Sequence, residues 1–208
     1  MTLRASKFWD RMAAGYAKRP VRNQAAYEQT LARTRSYMSQ SDLVVEYGCG
    51  TGTTALKLSG DAARITATDF SGEMLRIAEE RRAVQGIENV TFKQVSATVP
   101  ATGNETADVV LAFNLLHLIE ETDQVFAAVS RQLKPGGYFI SKTACMGDGN
   151  ILLRLIVPVM GWYFGVPFIK KYRVRELEDQ IAAAGFRIAE TGNYPDKPPS
   201  RFIVARKG

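Results

Sequence analysis

The sequence predicts an α/β fold: a doubly wound sheet, mostly parallel, with an antiparallel C-terminal strand and a helical extension at the N-terminus. Three observations predict it. Short apolar, β-rich runs alternate with helical patterns through the middle of the chain, which implies a parallel sheet with helices on both faces. The first run, Val44 to Tyr47, passes into Gly48-Cys49-Gly50-Thr51-Gly52 and then into a helical pattern. The last two runs, Phe186–Thr191 and Arg201–Arg206, are joined by a Pro-rich link with no room for a crossover helix, so the pair is antiparallel.

Taken in order, residues 1–40 read as two helices. Phe8, Met12 and Tyr16 recur every four positions, and Tyr27, Leu31, Thr34 and Met38 follow a 4-3-4 spacing. Pro20 breaks the chain between them. Strands follow at Val44–Tyr47, Ile65–Thr68, Val90–Val95, Asp108–Phe113 and Tyr138–Lys142. The helix after the glycine turn spans 53–58. The next is opened by Ser71, whose hydroxyl suits an N-cap, with Met74, Leu75 and Ala78 on one face. A further helix spans 121–133 with Val125, Phe126, Val129 and Leu133 inward, and Pro135-Gly136-Gly137 turns the chain into the fifth strand. The last helix covers 175–184 and ends before Gly185.

At 208 residues the chain is read as one domain. Within it, 1–40 is a helical extension, 41–145 the alternating strand–helix core, 146–172 an apolar insertion, and 173–208 the last helix and strand pair. Its 46% apolar and 23% charged residues are ordinary for a soluble globular protein. The two cysteines, Cys49 and Cys145, form no disulfide framework, which fits a reducing cytoplasm. With one histidine and no Cys pair at ligand spacing, no protein-built metal site is expected. No apolar signal core precedes Asp10, since Arg4 and Lys7 interrupt it. Residues 1–40 hold eight Lys and Arg against Asp10 and Glu28, which accounts for the whole net charge of +6. A solvated helical face is the plain reading. An anionic acceptor, an anionic membrane surface or nucleic acid are the sharper ones, and nucleic acid is the weakest because no aromatic–basic motif accompanies the charge.

The glycine turn carries the chemistry. A backbone without Cβ atoms lets a ligand lie against it, with the free N–H groups of the next helix facing that ligand. The spacing is G-x-G-x-G, not the G-x-G-x-x-G of dinucleotide sites, and Glu46 stands just before it. A carboxylate there repels a pyrophosphate and suits an amine or a cation. The second strand ends in Asp69, placed to bind both hydroxyls of a ribose. Amine-bearing, cationic and adenosine-containing together describe S-adenosylmethionine.

On these residues the chain resembles the class I S-adenosylmethionine-dependent methyltransferases, which have a Rossmann-like fold with an antiparallel last strand. The resemblance is carried by VVEYGCGTG (44–52), ATDFSGEML (67–75), ADVVLAFNLLHLI (107–119) and LKPGGYFISK (133–142). The opening FWDRMAAGY (8–16) is loosely similar to the ubiquinone and menaquinone C-methyltransferase branch. The resemblance implies that Glu46 orients Gly48 and Gly50 or reaches the methionine amine. It implies that Gly48, Cys49, Gly50 and Gly52 cradle the cofactor and that Asp69 holds the ribose. Phe70 and Met74 then flank the adenine, Ser96 and Ala97 read its amino group, and Asn114 and Leu115 close the pocket. Ser96 departs from the Asp common in relatives. The N-terminal extension lies over the pocket, so that Tyr16 and Arg19 meet the methionine end.

His117 follows the fourth strand on the acceptor side. It is read as a general base or as a packed histidine among Leu115, Leu116 and Leu118. The stretch 151–169 is almost wholly apolar and approaches the length of a membrane span, yet Arg154, Pro158, Gly161, Gly165 and Pro167 interrupt it. It reads as an apolar lid or acceptor pocket with possible peripheral membrane contact, or as core. The acceptor expected is therefore small and apolar. Rival readings are a methyltransferase of a macromolecule, a cofactor-binding protein without turnover, and an NAD-dependent dehydrogenase.

Overall fold

The computed structural model describes residues 3–148 and 168–208. Two helices, α1 (Leu3–Ala17) and α2 (Gln24–Arg35), precede a seven-stranded sheet. Its strands are β1 (Leu43–Tyr47), β2 (Arg64–Asp69), β3 (Val90–Gln94), β4 (Ala107–Phe113), β5 (Leu133–Ala144), β6 (Phe186–Asn193) and β7 (Ser200–Lys207). Between them run α3 (Thr53–Lys57), α4 (Gly72–Gln85), α5 (Thr122–Gln132) and α6 (Val174–Ala183). The order is β3-β2-β1-β4-β5-β7-β6. β1 to β5 are parallel, and β7 lies antiparallel between β5 and β6. The expected mixed sheet and its antiparallel close are therefore present. The apolar stretch 151–169 lies, up to residue 167, outside the described residues.

The strands are apolar because both faces are covered. On one face Val45, Tyr47, Val110, Phe139 and Ile203 pack against Phe126 and Val129 of α5 and Leu177 and Ile181 of α6. On the other, Val44, Ile65, Leu111, Ile140 and Val204 pack with Leu31 of α2, Ala55 and Leu56 of α3, and Leu75 of α4. α4 starts where Ser71 accepts from the Met74 N–H at 3.2 Å, and Met74, Leu75 and Ala78 are its buried residues.

β5 departs from the sequence reading. It begins at Leu133, not at Tyr138, and carries the Pro-Gly-Gly segment inside it as an irregularity. Pairing jumps from Ala107↔Leu133 to Val109↔Tyr138, so four residues of β5 bulge past one of β4. A Cβ on Gly137 would sit 2.9 Å from the Asp108 carbonyl oxygen. The glycine thus permits the close return of the bulge rather than ending a helix.

The basic N-terminal residues are partly used inside the fold. Arg33 of α2 makes a two-nitrogen ion pair with Glu190 of β6, which also accepts from the Tyr37 hydroxyl at 2.6 Å. Arg35 pairs with Asp61 at 2.8 Å. Lys142 of β5, buried, donates to Thr30 of α2 at 2.9 Å. These ties hold α2 against the sheet face on which Leu31 packs.

Candidate functional site

β1 has β2 on one side and β4 on the other, so the chain reverses its direction of travel across the sheet at β1 and β4. Ligands of open parallel sheets bind in the crevice at such a switch, beyond the strand carboxyl ends. A cavity of about 720 Å³ opens there, lined by Glu46, Gly48, Gly50, Asn114 and, from above, Tyr16 and Arg19. This is an ordinary size for a small-molecule site.

The glycine turn is pinned from β2. Asp69, 8% exposed, accepts from the Gly50 N–H through Oδ2 and from the Ser71 N–H through Oδ1, each at 2.9 Å. Burial raises its pKa, and the N–H groups of Ser71, Gly50 and Phe70 pull it back. The three loop glycines differ in purpose. A Cβ on Gly50 would project toward Tyr16, 3.8 Å from its ring, so its absence leaves open the gap between turn and Tyr16. A Cβ on Gly48 would meet Leu115 at 2.5 Å. One on Gly52 would meet Phe92 at 2.7 Å and Ala78 at 2.9 Å, and Gly52 does not line the cavity. Gly48 and Gly52 serve packing, and Gly50 serves access.

Glu46 is 2% exposed, and its Oε2 has no hydrogen-bond partner. Burial pushes its carboxyl up to about 8, against the Ala55 N–H of α3, and the Asp69 charge adds to the rise. The same two acids act on their neighbours. Tyr16 is raised by burial, then by Asp69 and Glu46. The Cys49 thiol is held well above its ordinary value by burial, Glu46 and Asp69. Cys49 thus stays a thiol and a poor nucleophile. Two carboxyls with an orphaned oxygen beside a glycine turn fit a cationic, amine-bearing ligand and disfavour a pyrophosphate. The residues present therefore fit S-adenosylmethionine.

The cavity brings together Tyr16, Arg19, Glu46, Gly48, Cys49, Gly50 and Asn114 from the sequence-predicted set. Asn114 holds a left-handed backbone, φ 53°, and donates its N–H to the Lys142 carbonyl at 2.7 Å, which ends β4 in a sharp turn. Asp69, Phe70, Met74, Ser96, Ala97 and Leu115 lie outside this cavity's lining. Met74, Ala97 and Leu115 are buried, and Ser96 Oγ is paired with Thr98 Oγ1 at 2.9 Å. His117 is also outside the lining; burial lowers its pKa to about 4, and its Nδ1 has no partner. Sequence reasoning missed Asp10, which accepts from Ser71 Oγ at 2.6 Å and from the Glu73 N–H at 3.2 Å, docking α1 on the start of α4. It also missed Arg81 and Tyr27, both in the cavity wall. Neither stood out, since one sits in a mixed-charge helical run and the other on an apolar stripe.

Residues 44–137 match the family described as a methyltransferase domain. The demethylmenaquinone methyltransferase of Thermobifida fusca is 25% identical over 172 residues, covering 82% of this chain and 69% of that protein. The ubiquinone/menaquinone biosynthesis C-methyltransferase of Zymomonas mobilis is 26% identical over 167 residues, with 70% and 67% covered. The chain is a class I S-adenosylmethionine-dependent methyltransferase. The crystal structure of geranyl diphosphate C-methyltransferase from Streptomyces coelicolor superposes with a TM-score of 0.74 at 14% identity, covering 88% of this chain and 77% of that one. At that identity it bears on the fold of this methyltransferase alone.

Proposed function

We propose that this methyltransferase acts on a small acceptor with an apolar body. The apolar composition of 151–169 carries the acceptor reading, and the orphaned Glu46 Oε2, buried in the wall of a cavity also lined by Gly50 and Tyr16, carries the cofactor's place. S-adenosylmethionine supplies an electrophilic methyl on a cationic sulfur when bound. The protein's part is to orient, to exclude water and to hold the acceptor in line, which supplies up to roughly 7–11 kcal/mol in well-oriented systems. In this reading Glu46 takes the methionine amine and Asp69 the ribose hydroxyls. Phe70 and Met74 flank the adenine, Ser96 and Ala97 read its edge, and Asn114 and Leu115 close the pocket. The turn Gly48–Gly52 carries the cofactor against its backbone, Gly52 by seating α4 beneath it. Residues 1–40 are the lid, bringing Tyr16 and Arg19 over the methionine end, while 41–145 forms the core and 173–208 completes the sheet. The named relatives that act on quinone precursors, together with the apolar composition of 151–169, support a lipophilic acceptor. We place the protein in the cytoplasm; among the described residues no helix is long and apolar enough to cross a membrane. Transfer of labelled methyl from S-adenosylmethionine to a panel of prenylated quinols and other lipophilic phenols tests the acceptor. Transfer only to water-soluble or macromolecular acceptors overturns the apolar reading. Flotation with anionic vesicles tests membrane contact by 151–169.

Glu46 makes cofactor binding pH-dependent. Its folded value, about 8, stands above the ordinary 4.5. In the free protein its contribution to stability is full below pH 4.5 and is lost as pH rises to 8. Pairing with a cation needs the ionised form, so binding releases a proton below pH 8. Affinity should rise by up to about tenfold per pH unit from pH 6 toward 8 and then level. Glu46→Gln should flatten that slope. The cofactor's own amine titrates against both proteins, so the difference between them isolates Glu46. Equal slopes would remove Glu46 from the amine site.

His117 is proposed as the base for an acceptor that still holds its proton. His117→Ala should then lower turnover at least tenfold with cofactor affinity unchanged. Turnover equal to wild type would leave His117 a packing residue.

A further inference from the structure

α1 ends at Ala17, and the last carbonyls of a helix have no partner within it. The Ala17 carbonyl accepts from Nη2 of Arg81 at 2.7 Å. Nη1 of the same guanidinium donates to Thr51 Oγ1 at 2.7 Å, to Thr53 Oγ1 at 3.1 Å and to the Thr51 carbonyl at 3.2 Å. One planar side chain on α4 therefore joins two walls of the cavity, the N-terminal cover and the glycine turn. Its reach depends on Gly52. The missing Cβ lets Ala78, one helical turn before Arg81, close against the turn. Asp10 ties α1 to the other end of α4 through Ser71 and Glu73. After Ala17 the chain runs through the exposed residues Arg19, Pro20, Val21 and Arg22, which line the cavity before α2 begins.

We infer that Arg81 is a positioning residue that latches α1 and the 18–22 segment to the glycine turn, so that the residence of the bound cofactor depends on this latch. The inference rests on the cavity being the S-adenosylmethionine site. Arg81 acts through Thr51, Thr53 and Ala17 and on no reacting atom. The fork geometry matters, since a guanidinium presents its donors in one rigid plane and an ammonium does not. The cofactor enters and leaves when the cover lifts, and the Arg81 bonds must break for it to lift.

The test measures release of labelled S-adenosylmethionine, chased with unlabelled ligand, from wild type, Arg81→Met and Arg81→Lys. Met keeps the apolar stem and loses the donors; Lys restores a cation without the fork. Release should be at least tenfold faster for Met, and Lys should fall between Met and wild type. A role in packing alone would leave Met like wild type, and that result overturns the latch. Trypsin supplies a second readout on wild type itself, valid even where a variant does not fold. Cleavage after Lys18 and Arg22 should slow at least fivefold when S-adenosylmethionine is bound. Cleavage at the same rate with cofactor bound overturns the latch while leaving the cofactor reading intact. Wild type that does not bind S-adenosylmethionine at all overturns the cofactor reading, and the latch with it.

Discussion

Asp69→Ala should weaken S-adenosylmethionine binding at least a hundredfold, read by calorimetric titration with NAD as the control ligand. The size follows from two losses. Each Asp69 oxygen already accepts one backbone N–H, from Gly50 and from Ser71, and an ionised carboxylate has room for about four hydrogen bonds. In the proposed reading the remaining lone pairs take the two ribose hydroxyls, and hydrogen bonds to a charged group contribute about 1.5–3 kcal/mol each. The second loss is the turn itself. Without the carboxylate, the Gly50 and Ser71 N–H groups are left nearly buried and unpaired, at about 1–3 kcal/mol each. The variant should therefore also melt lower than wild type. Asp69→Asn separates the two losses, because its carbonyl oxygen keeps one backbone bond and one hydroxyl bond. Its affinity should fall between the other two. Wild-type affinity in Asp69→Ala would place the ribose elsewhere, and tight binding of NAD would overturn the argument from Glu46.

What the sequence made legible was local or periodic. The glycine turn after Val44–Tyr47, the Ser71 cap and the buried stripe of α4 each depend on neighbours within four residues. The antiparallel close of the sheet was legible because a short link between two strands leaves only one way to pair them. What was hidden depends on partners far apart in the chain. Glu190 reads as an exposed strand acid until Arg33 and Tyr37, more than 150 residues earlier, come to meet it. Arg81 sits in Glu79-Glu80-Arg81-Arg82, a run whose charges pair along a helix face, as Arg82 does with Glu79. Nothing in that run says that Arg81 alone turns toward the glycine loop. The start of β5 was hidden because Pro-Gly-Gly reads as a turn between elements, whereas the structure absorbs it as a bulge within one strand. In the site itself, the identity of the glycines was legible and their separate purposes were not. That distinction needs to know what stands where each Cβ would be.

Gly52→Ala should destabilise the protein by about 3–4 kcal/mol and lower its melting temperature by about 10 °C, while Gly50→Ala costs less stability and more cofactor affinity. Both glycines hold a left-handed backbone, φ 76° at Gly52 and 52° at Gly50, and a side chain in that region costs roughly 1–2 kcal/mol. The remainder differs. At Gly52 the new methyl lands 2.7 Å from the end of the Phe92 ring and 2.9 Å from the Ala78 methyl. The ring can swing away, but Ala78 is held by the helix, so α4 itself must shift. Overpacking of that kind adds about 1–3 kcal/mol, and for a chain of this size each kcal/mol is worth roughly 2–4 °C. At Gly50 the methyl meets only Tyr16 at 3.8 Å, so it fills cavity space assigned to the cofactor in the proposed reading. Gly52→Ala with Phe92→Leu should recover part of the loss, because shortening the ring relieves one contact and leaves both the Ala78 contact and the backbone strain. Thermal melts of the two single variants and the double variant decide it. Full recovery would assign the cost to the ring alone, and a Gly52→Ala melt like that of wild type would mean that α4 does not close on the turn as tightly as the 2.9 Å approach requires.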